Sequence, residues 1–173
     1  MSLWALLAPG PSATAEQAAK VHAAGIPLGA IGNAFELAPF AAFIASSDAA
    51  WWRRYPDAQA RECRKFGMHE GPGFERVKDF GLGIVNSGVL GLQCVAREFG
   101  ASKVLLLGFD MHGTHFFGAY TNGLRNTAPH QRQSHLQQYA RWALRNPKVE
   151  VINCTPGSAL TAFPRSSLDA CLA

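Results

Sequence analysis

Residues 86–110 read NSGVLGLQCVAREFGASKVLLLGFD, and they carry the strongest sign of the fold. Helical spacing places Val89, Leu92, Val95, Ala96 and Phe99 on one apolar side, and Gly100 stands where a glycine closes a helix. The run Lys103-Val104-Leu105-Leu106-Leu107 is then apolar without alternation, the pattern of a parallel strand covered on both faces. It stops at Gly108-Phe109-Asp110, leaving a carboxylate at the strand's carboxyl end, the edge where open α/β sheets hold ligands. Asn86-Ser87-Gly88 opens the helix with free backbone N–H groups and two polar side chains, an arrangement suited to an anion. The same three residues also suit an ordinary capped helix.

On either side of this unit the chain alternates strands and helices. Residues 3–8 form a short apolar strand running into Pro9-Gly10-Pro11-Ser12, and a helix follows over about 14–24, with Thr14 and Gln17 in capping-box spacing and Gly25 past its end. That leaves the Ser12 hydroxyl free. A strand, a glycine turn and a helix start can cradle phosphate by backbone donors, although the turn matches neither a dinucleotide fingerprint nor a P-loop. Residues 28–32 read as a second strand ending at Asn33, which suits either a base or ribose contact or the cap of the next turn. Residues 41–45 read as a third strand, and Ser46-Ser47-Asp48 opens a helix bearing Trp51, Trp52 and Tyr55. The tryptophans read as packing first and as a base-stacking surface beside Arg53 and Arg54 second.

Residues 56–83, punctuated by Gly67, Gly71, Pro72 and Gly73, read as an irregular excursion. Residues 111–129 form a loop long enough to be a lid. A helix over about 130–146 is expected to bury Leu136, Tyr139, Ala140 and Ala143, and residues 149–153 form a last strand entering Cys154-Thr155-Pro156-Gly157-Ser158. The alternation predicts a single α/β domain over 1–173, a three-layer sandwich with a mainly parallel sheet. Gly10, Pro11, Ser12, Asn33, Asp48, Asn86, Ser87, Gly88, Asp110, Thr155, Gly157 and Ser158 then converge on one sheet edge and predict a small-ligand site there.

Composition sets the bounds. With 173 residues, 48% hydrophobic and only 16% charged, the chain can bury a core and is not a disordered segment. The formal charge of +4, densest at Arg53, Arg54, Arg61, Arg64 and Lys65, suits an anionic small ligand or nucleic acid alike. Cys63, Cys94, Cys154 and Cys171 lack metal-ligand spacing and read as reduced thiols of a cytosolic protein. The apolar start at Leu3–Ala8 mimics a signal peptide but lacks a basic flank, and no run approaches the roughly 20 apolar residues that span a bilayer. The expectation is a cytoplasmic protein without a membrane partner; a homo-oligomer is left open.

Several of these motifs occur together in a known order: Gly-Pro-Ser after the first strand, Gly-Asn after the second, Ser-Gly opening a helix, Gly-Phe-Asp, a histidine-bearing segment and a Cys-x-Pro-x-Ser-like turn. This order resembles that of small Rossmann-like phage and prophage proteins described as morphogenetic. Those are similar in turn to bacterial sialyltransferases of the Campylobacter type and to archaeal hydroxymethylpterin diphosphokinase-like proteins. The Asp48-Ala49-Ala50-Trp51-Trp52 element and the THFFG, GLRN and NCTPGSAL stretches resemble the phage group most. The resemblance implies a Rossmann-like fold over nearly the whole chain.

The sialyltransferase likeness implies that Gly10, Pro11, Ser12 and Asn33 contact a nucleotide donor and that Ser87, Gly88 and Asp110 line the same pocket. It implies that His130 is the general base, with His135 as the other candidate. Asp110 would orient ribose or a cation, and Tyr120 would stabilise the departing phosphate. That family uses two tyrosines; here Phe116 and Phe117 occupy nearby positions, and the chain is much shorter. The leading expectation is a nucleotide-binding, glycosyltransferase-like protein taking a nucleotide or nucleotide-sugar, with no resident cofactor firmly implied. The alternatives are a Mg²⁺-dependent diphosphokinase-like enzyme and a non-catalytic phage accessory or nucleic-acid-binding protein. Asp110, His112 and His115 have the spacing of metal ligands, but a polar lid with no metal is the favoured reading. His22 and His69 read as surface residues.

Overall fold

Strands β1 (Leu3–Leu7), β2 (Leu28–Ile31), β3 (Phe43–Ala45), β4 (Arg64–Gly67), β5 (Glu75–Arg76), β6 (Lys103–Leu107) and β7 (Glu150–Asn153) form one sheet in a computed structural model that describes residues 2–69, 71–77 and 83–173. Their order is β5-β4-β3-β2-β1-β6-β7, and every pairing is parallel. The helices are α1 (Ala15–Ala23), α2 (Ala49–Arg54), α3 (Pro56–Ala60), α4 (Ser87–Arg97), α5 (Pro129–Arg145) and α6 (Leu168–Leu172), with a 3-10 turn over Gly32–Glu36. The fold is an α/β, Rossmann-like three-layer sandwich, and its sheet is parallel throughout.

Alternation along the central strands assigns the two faces. Trp4 and Leu6 of β1, with Val104 and Leu106 of β6, pack in one apolar cluster with α4 and α5. Ala5 and Leu7, with Leu105 and Leu107, pack in a second cluster with α1, α2, α3 and α6. Strands buried on both faces need apolar residues at every position, which is why β6 shows no alternation. β1 and β6 run in register from Leu3 opposite Lys103 to Leu7 opposite Leu107.

Helix α4 is buried more completely than a one-sided stripe allows. Gly88 through Val95 are all buried, because α4 lies on β1, β2 and β3 and is also packed by α5. Its polar Gln93 is satisfied by the Trp142 indole, whose Nε1 donates to Gln93 Oε1 at 2.9 Å. On α5 the buried positions are Tyr139 and Trp142; Ala140, expected in the stripe, is exposed. The Thr14–Gln17 capping box forms as its spacing requires, with Gln17 N–H donating to Thr14 Oγ1 at 3.2 Å and Thr14 N–H to Gln17 Oε1 at 3.1 Å.

Within residues 56–83, the described part is more regular than its composition suggests. It contains α3, β4 and β5, and the two strands extend the sheet beyond β3; Glu70 and residues 78–82 lie outside the described residues. Phe66 and Phe74 supply the apolar contacts. Phe74 stacks on Trp52 with ring centroids 4.9 Å apart, and Phe66 meets Phe43 edge-on at 5.6 Å. Arg64 lies over Phe66 and Phe99 and pairs with Glu75 and Glu98 at 2.8 and 3.2 Å. Charged side chains on a sheet edge discourage pairing with another chain.

Among the described residues no helix is long and apolar enough to cross a membrane. All four cysteines are free, and Cys154 Sγ stands 3.7 Å from Cys171 Sγ. Burial pushes the Cys154 thiol up to about 12, so it is inert as a nucleophile near neutral pH.

Candidate functional site

Strand order reverses between β1 and β6: the chain steps one way through β2 to β5, then returns to place β6 and β7 on the other side of β1. The crevice outside the carboxyl ends of such a pair is where open α/β sheets bind ligands. A cavity of about 500 Å³ opens there, floored by Gly10 and Asp110 and walled by the start of α4, the 111–127 loop and one face of α5. That volume lies in the range of small-molecule sites.

The floor is built from the meeting of the first turn with the end of β6. Asp110 is 3% exposed, and its Oδ2 accepts from the Ser12 hydroxyl at 2.9 Å and the Ser12 N–H at 3.3 Å. Gly10 N–H donates to the Gly108 carbonyl and Ala13 N–H to the Gly10 carbonyl. A side chain on Gly10 would overlap both Asp110 Oδ2 and the Gly108 carbonyl, so glycine is required by this close approach. The expected phosphate cradle at Gly10, Pro11 and Ser12 is therefore occupied from within: a carboxylate of the same chain takes the donors a phosphate would have used. Asp110 Oδ1 accepts from none of the described residues, and Asp110 lines the cavity.

The Thr155–Ser158 turn stands behind this floor rather than in the cavity. Phe109 N–H donates to Thr155 Oγ1 at 2.9 Å, the Ser158 hydroxyl donates to the Phe109 carbonyl, and Ala159 N–H donates to the Asp110 carbonyl at 2.9 Å. Thr155 and Ser158 are both buried, and they fix the backbone that aims Asp110. Gly157 offers only its carbonyl, 3.2 Å from His112 Nε2.

Asn33 is likewise drawn into the protein instead of the cavity. It is 2% exposed; its Oδ1 accepts from the Trp51 indole at 2.7 Å and the Tyr120 hydroxyl at 2.9 Å, while its Nδ2 donates to Glu36 at 2.6 Å. It brackets the lid against the second helix. Trp51 and Trp52, 3% and 1% exposed, present no free face for stacking on a base. Tyr120 does line the cavity, and burial raises its hydroxyl pKa, so it stays protonated; its one proton is donated to Asn33, which leaves no donor for the departing phosphate it was expected to stabilise.

At the start of α4, Asn86 caps its own helix. Its Oδ1 accepts from the N–H groups of Gly88 and Val89 and from the Tyr139 hydroxyl at 3.0, 3.2 and 3.0 Å. Ser87 Oγ accepts from Ser47 N–H at 2.9 Å and lies within hydrogen-bond distance of Ser47 Oγ at 3.0 Å. Asn86, Ser87 and Gly88 all line the cavity, but most of their donors are committed inside the protein.

The histidines separate by helix geometry. Gln131, Arg132, His135, Gln138 and Tyr139 line the cavity from α5, a face set by burial of Tyr139 and Trp142 beneath it. At about 100° per residue, His130 points roughly 140° away from the centre of that face. It is exposed and outside the lining, so His135 takes the place expected for His130. Sequence periodicity around Tyr139 and Trp142 would have identified this face. His115 also lines the cavity, its Nδ1 3.1 Å from the Gly118 carbonyl and its ring stacked on Phe117 with centroids 4.9 Å apart. His112 and His115 turn to separate carbonyls rather than to Asp110, and among the described residues no group of three acidic, histidine or cysteine side chains is gathered for a metal.

Burial lowers the pKa of both His115 and His135 from the ordinary 6.5, so both imidazoles are neutral at pH 7. The unfolded chain therefore binds these protons more readily. Stability contributed by the neutral rings is intact above pH 6.5 and is lost as pH falls from there through the depressed folded values. Glu75, which the Arg64 hydrogen bond holds below 4.5, acts only at lower pH. Thermal unfolding should show a lower melting temperature at about pH 5 than at about pH 7, and the double variant His115→Gln, His135→Gln should flatten that difference. An unchanged slope in the double variant would assign the pH dependence elsewhere.

Comparison of the chain with protein-family models, curated proteins and solved structures finds no match in any of the three.

Proposed function

We propose that this chain binds a nucleotide in the cavity at the β1–β6 reversal and acts as a transferase on a nucleotide-activated group, with a nucleotide-sugar as the leading form. The observation that carries the proposal is the placement of Asp110: a buried carboxylate at the switch point, one oxygen held by Ser12 and the other left for a ligand hydroxyl such as a ribose. Arg125 and Arg132 bring positive charge to the same cavity, which suits an anionic ligand. His135 supplies a neutral imidazole that can accept a proton from an acceptor hydroxyl as it attacks the transferred group. The nucleic-acid alternative loses support from its own patch: Arg64 is paired with two glutamates, and Lys65 donates to the Arg61 and Cys63 carbonyls at 2.6 and 2.8 Å.

Calorimetric titration with CMP, CDP, UDP and their sugar conjugates tests this reading. Saturable binding of one nucleotide, weakened in Asp110→Ala, is the expected result; absence of binding at millimolar concentration refutes it. The same titration with and without Mg²⁺ separates the diphosphokinase alternative, which requires metal-dependent binding.

A further inference from the structure

The loop leaving β6 carries an incomplete set of hydrogen bonds. His115 and Phe116 N–H groups donate to the Gly118 and Pro9 carbonyls at 3.2 and 3.0 Å, but those of Met111, His112, Gly113 and Thr114 donate to none of the described residues. Met111 is left-handed at φ +59°, unlike every other described non-glycine residue, and Gly113 is left-handed at φ +66°; His112 between them is not. Alternation of this kind turns consecutive N–H groups toward one side and forms a concavity for an anion. Holding a side-chain-bearing residue left-handed costs about 1–2 kcal/mol. Packing of the Met111 side chain against the α4–α5 apolar cluster holds it in place. All four residues line the cavity.

A cation is fixed beside them. Arg132, half-buried in the first turn of α5, donates from Nη2 to the Gly113 carbonyl at 2.7 Å. That bond docks the guanidinium on the loop through one of its N–H donors. No carboxylate pairs with Arg132 among the described residues, so its charge is unneutralised in the cavity. The carboxylate on the cavity floor, Asp110, has Oδ2 turned to Ser12. Water would satisfy the free N–H groups of an ordinary exposed loop. It gives no account of a docked, unpaired guanidinium next to a backbone held left-handed.

We propose that the backbone N–H groups of Met111–Thr114, together with Arg132, seat a phosphoryl group of the ligand. This deepens the nucleotide reading and rests on it for the rest of the ligand. It also relocates the phosphate from the Gly10–Ser12 turn, whose donors Asp110 has taken, to the turn at the end of the neighbouring strand. Charge-assisted bonds from guanidinium and amide to phosphate oxygens are among the stronger polar contacts.

The test uses the full chain with three probes: CMP, cytidine and inorganic pyrophosphate. Affinity is read by calorimetry, and the amides of residues 111–114 are followed in ¹H–¹⁵N spectra. CMP should bind at least roughly tenfold more tightly than cytidine, and CMP and pyrophosphate should both shift those amides. Arg132→Ala should weaken CMP roughly ten- to hundredfold while leaving cytidine unchanged, with partial recovery in Arg132→Lys. Equal affinity for CMP and cytidine, or unmoved amides on saturation with CMP, overturns the seat and leaves the nucleotide reading standing. Pyrophosphate shifting the amides while neither CMP nor cytidine binds supports the seat and removes the cytidine form of the nucleotide reading. No response to any probe removes the seat and the cytidine form of the nucleotide reading. If Arg132→Ala does not fold, the amide shifts of the unmodified chain still decide the matter.

Discussion

Gly108→Ala is expected to lower the free energy of unfolding by about 2–5 kcal/mol, the sum of a left-handed backbone and a steric overlap. Gly108 sits at φ +70°, where the chain leaves β6, and a side chain there would overlap the Ala8 carbonyl and approach Ala13 Cβ at 2.9 Å. The obstructing group is backbone, so no rotamer change relieves it. Gly25 is the control: it has the same φ of +70° but nothing within 4 Å of the added atom. Gly25→Ala should therefore show only the backbone cost, about 1–2 kcal/mol. Chemical denaturation of both variants measures the difference. Equal losses would mean that the close approach of the β1 and β6 ends, on which the Ser12–Asp110 bond depends, is not tightly held.

Asn33→Ala is expected to cost about 2–4 kcal/mol, because it orphans two donors at once and each buried polar group left unpaired costs about 1–3 kcal/mol. The Trp51 indole is buried and donates to Asn33 alone among the described residues; the Tyr120 hydroxyl is half-buried and regains water in part. The second consequence is functional. Tyr120 ties the lid to the protein through Asn33, so the variant should expose residues 111–128 to limited proteolysis faster than Glu36→Gln, which alters a partner of Asn33 but leaves both donors satisfied. Similar cleavage in the two variants would show that the lid is held by other contacts. The result bears on the site because Tyr120, His115 and the proposed phosphate seat all belong to that loop.

The elements that could be read from the sequence are those whose signal is local. For β6 the unbroken apolar run sufficed, since a strand covered on both faces buries every residue from Val104 to Leu107. The Thr14–Gln17 cap and the Asp48 and Asn86 caps depend on residues two or three apart, and all form. β4 and β5 escaped because they are four and two residues long and carry Arg64, Lys65, Glu75 and Arg76, so no apolar run marks them. Their pairing is decided by the neighbouring strand and by Phe66 and Phe74 packing on distant aromatic rings.

For the site, the order of residues along the chain was enough to place the edge: strand ends carrying Gly10 and Asp110 must meet if the sheet is parallel and β1 is central. It was not enough to say which polar groups remain available to a ligand. The donors of Ser12 are consumed by a carboxylate 98 residues away, and Asn33 is consumed by Tyr120 at a separation of 87. Such pairings are settled in three dimensions, because a hydrogen bond is fixed by distance and direction in space and leaves no periodicity in the chain. The choice of His135 over His130 differs, because it follows helical periodicity: burial of Tyr139 and Trp142 sets the rotation of α5, and that rotation carries one histidine into the cavity and turns the other to solvent.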